Sequence, residues 1–145
     1  MPSQVAIDEF LSHRQLALLR LSPSTPIAGT PMDQELAKKG YEVRVAYLDP
    51  ADSRRSLASI KDAVEGVIIA VPRKECERAV REALAADMPR LWLQSGSDTP
   101  EAVQLARQQG VPTIYGACVL MYAEPVQSIH AFHRWFWQLF GRLAK

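Results

Sequence analysis

Residues 66–72 read GVIIAVP, and this stretch decides the fold. Five apolar residues follow Gly66 with no polar residue between them, four are β-branched, and Pro72 ends the run. A strand wet on one face alternates apolar and polar residues. A continuous apolar run instead fits a strand covered on both faces, the usual state of a parallel sheet. Such a sheet needs helices as cover, and the flanking sequence offers them. Arg73 to Asp87 carries Cys76, Ala79, Val80, Ala83 and Leu84 at helical spacing. Ser56 to Val64, on the other side, reads as a short, weak helix.

The same alternation extends outward. Leu16–Leu21 (LALLRL), Tyr41–Leu48 (YEVRVAYL), Arg90–Gln94 (RLWLQ) and Val111–Tyr115 are four further strand candidates. Thr30-Pro31-Met32-Asp33 is a helix start, with a Thr cap, Pro at the first helical position and an acid soon after. Gly40, after Lys38-Lys39, is the matching stop. Thr99-Pro100-Glu101 opens another helix, which Gly110 closes. Five strands alternating with helices predict an open parallel α/β sheet with right-handed crossovers.

The chain has 145 residues, which suits one domain. Its 48% hydrophobic and 23% charged residues exclude intrinsic disorder. The net charge of +1 provides no global basic field for nucleic acid. The longest apolar runs, Val67–Val71 and Ala117–Met121, are far below a membrane span. The opening MPSQVAIDEF has no basic region followed by an apolar stretch, and so no signal peptide is expected. Cys76 and Cys118 lie far apart without metal-ligand spacing, which fits a reduced, cytoplasmic protein. From Val126 to Lys145 there is no acid, while Arg134, Arg142 and Lys145 give that tail +3.

Ligands of open α/β sheets bind beyond the carboxyl ends of the strands, near the topological switch point. The loop from Leu21 to Thr30 combines hydroxyls with a helix start. That combination suits either a phosphate or a capped turn without ligand. It holds only Gly29, so the G-x-G-x-x-G of dinucleotide enzymes is absent. Asp49 sits where an acid accepts a ribose hydroxyl, and Pro50 behind it equally suits a turn. Arg54-Arg55 and Arg73-Lys74 are either phosphate ligands or solvated charge. Cys118 reads as a buried structural thiol rather than a nucleophile, since no argument brings His13, His130 or His133 near it. His130 and His133 are three apart with no clustered third ligand, and no metal site is expected. The tail IHAFHRWFWQLFGRLAK reads as an amphipathic helix, expected to pack on the domain, on a second subunit, or on an anionic membrane.

In order, these strand ends resemble the stand-alone CoA-binding domain family, which is similar to the CoA-binding domain of the succinyl-CoA synthetase α-chain. The resemblance runs from about residue 10 to 143 and rests on quoted stretches. These are Leu18-Leu19-Arg20-Leu21-Ser22, Gly29, Lys39-Gly40-Tyr41, Asp49-Pro50, Gly66 to Pro72, and Trp92-Leu93-Gln94-Ser95-Gly96. Cys118-Val-Leu-Met-Tyr122, Glu124-Pro125 and His130-x-x-His133-Arg134-Trp135 resemble the C-terminal signature of a bacterial subgroup.

The resemblance implies a Rossmann-like fold with helices on both faces and CoA held by its ADP part, without catalysis. Arg20, Leu21, Ser22, Pro23, Ser24 and Gly29 would cradle the diphosphate. Asp49, Pro50, Val71, Pro72 and Arg73 would flank adenine and ribose. Gln94, Ser95, Gly96 and Cys118 would border the pantetheine. Three departures stand out. Arg20 occupies a family glycine position, Asp49 replaces Asn, and the Pro50–Gly66 connection is short. Expected, then, are a domain over 1–125, a helix over 126–145, and a homodimer that binds CoA or acyl-CoA. The alternatives are a dimeric interaction module without CoA and an FMN-binding, flavodoxin-like protein.

Overall fold

The computed structural model describes residues 3–24 and 31–123. Gly29 and the whole tail expected as a helix over 126–145 lie outside the described residues. Five strands form one parallel sheet: β1 (Gln15–Arg20), β2 (Glu42–Tyr47), β3 (Gly66–Ile69), β4 (Leu91–Gln94) and β5 (Thr113–Ala117). Their order is β2-β1-β3-β4-β5, and every pairing is parallel. The predicted open α/β sheet is therefore the observed one, with the switch of winding direction between β1 and β3.

Helices cover both faces, as the apolar run of β3 requires. Along each strand, neighbouring side chains alternate between two cores. Leu16, Leu18, Ile68, Trp92 and Ile114 face one core, closed by α1 (Gln4–Leu11), α2 (Met32–Lys38) and α6 (Val119–Tyr122). Ala17, Leu19, Val67, Ile69, Leu91 and Leu93 face the other, closed by α3 (Leu57–Ile60), α4 (Cys76–Ala85) and α5 (Pro100–Gln108). All four residues of β3 are buried.

Trp92 anchors the first core. It is fully buried, its ring meets Phe10 edge-on at 5.3 Å, and its indole N–H donates to the Ala117 carbonyl at 3.0 Å. That arrangement satisfies the one polar atom of a large side chain. Phe10 belongs to α1, a helix the sequence reading did not anticipate. Ser3 caps it, accepting the Ala6 N–H at 3.1 Å, and Ile7, Phe10 and Leu11 form its buried face. At the opposite edge β5 starts two residues later than expected. The Val111 N–H is taken by the Ala106 carbonyl, closing α5, before the chain can enter the sheet. The segment from 73 opens as a 3-10 turn, Arg73–Glu75, before α4 proper.

Candidate functional site

Backbone hydrogen bonds show where the sheet parts. The last bond between β1 and β3 runs from the Ala70 N–H to the Leu19 carbonyl at 3.0 Å. Beyond it, the Arg20 and Leu21 carbonyls accept from Leu48 and Asp49, both at 2.7 Å. Val71 turns the other way, its N–H donating to Ser97 Oγ at 3.1 Å. β1 thus follows β2 while β3 follows β4. The crevice between Leu21 and Val71 is the kind of opening in which α/β sheets seat ligands.

Arg20 is half-buried at the end of β1, in register with Tyr47. Its side chain makes no hydrogen bond or ion pair among the described residues. Ser22 Oγ and Ser24 Oγ lie 3.1 Å apart, and Pro23 between them is exposed. Pro23 also lines a cavity of about 550 Å³ whose other wall is Ala51, Asp52, Arg54 and Arg55. Arg54 is paired with Asp52 at 2.8 Å, and the Arg55 guanidinium lies 5.3 Å from the Tyr47 ring centroid. The loops after β1 and β2 thus share one hollow with a basic wall.

Asp49 and Pro50 lie at the mouth of β2, but the Asp49 carboxylate is engaged. Arg78 of α4 grips it through Nη1 at 2.8 Å and Nη2 at 3.1 Å, while Arg78 Nε donates to Glu75 at 3.0 Å. This guanidinium holds the Asp49 carboxyl below the usual carboxylate range. The carboxylate that the sequence reading set beside a ribose hydroxyl is therefore matched by a cation.

After β4, Gln94 and Ser97 are the two buried polar side chains among the described residues. Gln94 Nε2 donates to Cys118 Sγ at 2.9 Å, and Gln94 Oε1 accepts the Val119 N–H at 3.0 Å. Ser95 is exposed and its N–H donates to Ala117 at 3.1 Å. Gly96 has φ +94°, a conformation that disfavours any side chain, and the space beside its Cα is open. Cys118 is half-buried at the start of α6, not fully enclosed as expected. The fully buried thiol is Cys76, whose pKa burial pushes up to about 11, so it is not a nucleophile near neutrality. Among the described residues no group of three His, Cys, Asp or Glu side chains is placed to hold a metal.

The structure therefore gathers Arg20 to Ser24, Asp49-Pro50, Val71 to Arg73, Gln94 to Gly96 and Cys118 on one rim. The sequence reading missed three residues that shape it: Ser97, Arg78 and Asp98. Asp98 Oδ2 accepts the Gly116 N–H at 2.9 Å, fixing a bulge where one residue of β4, Leu93, opposes two of β5, Tyr115 and Gly116. A second cavity, of about 580 Å³, lies farther along the rim between Arg73, Thr99, Val103, Arg107 and Tyr115.

The family model described as CoA binding domain matches residues 21–124. Solved structures share the fold. A conserved hypothetical protein from Pyrococcus furiosus is 25% identical, with a TM-score of 0.60 over 74% of this chain and 97% of that one. A hypothetical protein from Pyrococcus horikoshii OT3 is 20% identical, with a TM-score of 0.68 over 83% and 89%. A Thermus thermophilus protein is 21% identical, with a TM-score of 0.59 over 84% and 96%. No curated protein matches the chain.

Proposed function

This chain belongs to the CoA binding domain family, and from that premise we propose that it binds CoA or an acyl-CoA through the ADP part, without catalysing a reaction on it. The observation that carries the reading is the hollow of about 550 Å³ at Pro23, between the loops after β1 and β2, beside the split in the sheet. Its size is within the range of small-ligand sites. With Arg54 held by Asp52 on the same wall, Arg55 supplies the net positive charge that a diphosphate favours. Arg20 stands at the strand end with a guanidinium free to approach the same anion. Gln94, Ser95, Gly96 and Cys118 would border the pantetheine, with Gly96 letting the ligand come close to the backbone. CoA would supply the thiol; this chain would bind and orient it.

A thermal-shift series with CoA, acetyl-CoA, ADP and FMN tests this reading. CoA at 100 times its dissociation constant is expected to add about 2.7 kcal/mol of stability, seen as a rise in Tm that grows with concentration. A response to FMN alone would move the protein to the flavodoxin-like alternative. No response to any nucleotide would leave the dimeric interaction module. Sedimentation of the full chain would then show whether it is a homodimer, as we also propose.

A further inference from the structure

The second cavity gives a reason to go further than CoA itself. It lies where the rim passes over β3, β4 and β5, lined by Arg73 after β3, Thr99 and Val103 at the start of α5, and Arg107 and Tyr115. Two guanidiniums from different elements face the same space of about 580 Å³. Arg107 lies over the Tyr115 ring at 5.2 Å and donates through Nη2 to the Tyr115 hydroxyl at 3.0 Å. That double hold fixes the guanidinium in place. The Arg73 side chain makes no ion pair or hydrogen bond among the described residues, while its carbonyl accepts the Cys76 N–H. The one acid at the wall, Asp98, is turned to the Gly116 N–H. Val103 and the Tyr115 ring add apolar surface, so the chemistry is that of a short apolar body ending in an anion.

Resting on the CoA reading above, we propose that this cavity receives the acyl end of an acyl-CoA and prefers an acyl chain that ends in a carboxylate. The two cavities are two to three strand positions apart, roughly 10–15 Å along the rim. An extended pantetheine arm covers such a span. It would run past Gly96, where a Cβ would meet nothing within 4 Å. Arg73, which the resemblance set beside adenine and ribose, lies instead on this cavity, and with Arg107 it supplies charge-assisted bonds to the carboxylate that an uncharged acyl chain cannot accept.

Calorimetric titration with glutaryl-CoA and pentanoyl-CoA, which share a chain length and differ in the terminal carboxylate, tests the proposal. Glutaryl-CoA is expected to bind about tenfold tighter. In Arg107→Gln the ratio of the two affinities is expected to fall toward one. A ratio within one protein cancels effects on the part the ligands share, and the exposed Arg107 can be replaced without opening the core. Equal affinities in the unmodified protein would overturn the acyl preference and leave CoA binding intact. Free glutarate binding as tightly as glutaryl-CoA would assign the cavity to a free diacid and overturn the thioester role. Failure of every CoA species to bind would overturn both this inference and the reading on which it rests.

Discussion

Ser97 Oγ holds the Val71 N–H at 3.1 Å in the interior, 6% exposed, where water does not compete. Its own N–H donates to the Gln94 carbonyl at 2.8 Å, so the turn after β4 and the end of β3 are tied through one residue. Ser97→Ala strands a buried backbone donor. It should cost about 1–3 kcal/mol, read from the urea midpoint with an unchanged slope. A loss within experimental scatter would mean that Val71 finds another acceptor. None of this was legible in Ser95-Gly96-Ser97-Asp98, which reads as a turn. The cluster does announce glycine freedom and small polar side chains. Which hydroxyl reaches across to β3 depends on strand order, and strand order is not local information.

At the scale of elements, the pairing of Asp49 with Arg78 fastens the end of β2 to α4 across the rim. The guanidinium favours the charged carboxylate, so the folded pKa is lowered. The bridge's contribution is therefore present above the ordinary aspartate range and is lost as pH falls through the lowered value. An NMR titration of the Asp49 carboxyl should find its midpoint below that range, and in Arg78→Gln the midpoint should move up. A midpoint that ignores the Arg78 substitution would contradict the pairing. The sequence displayed both residues but not their meeting, since 29 positions separate them. The strands were easier to see. β3 was plain because its apolar run has no helical period, and α5 was plain because Thr99-Pro100-Glu101 is a strong start. α1 was missed although Ser3 and the spacing of Ile7, Phe10 and Leu11 were present. An eight-residue helix carries little periodic signal, and its stability comes from packing on Trp92 rather than from propensity. The switch between β1 and β3 falls among the strand ends that the sequence reading singled out. The second cavity was invisible because Arg73, Arg107 and Tyr115 come from three separate elements, and no stretch of sequence shows them meeting.

Over the whole molecule, the fold accounts for why so many loops meet on one rim. Every strand is parallel, so all five carboxyl ends open to the same side, and the winding reverses once, between β1 and β3. That geometry places the basic hollow at Pro23 and the arginine-lined cavity at Tyr115 on the same side of the sheet. No helix among the described residues is long and apolar enough to cross a membrane.

The most direct measurement is an amide-resonance titration of the isotope-labelled full chain with CoA, mapped onto the sheet. The account predicts saturable shifts at Leu21 to Ser24, Ala51 to Arg55, Val71 to Arg73 and Gln94 to Gly96, with the opposite edge at Glu65 and Arg90 unmoved. Shifts confined to that opposite edge, or none at saturating CoA, would contradict it.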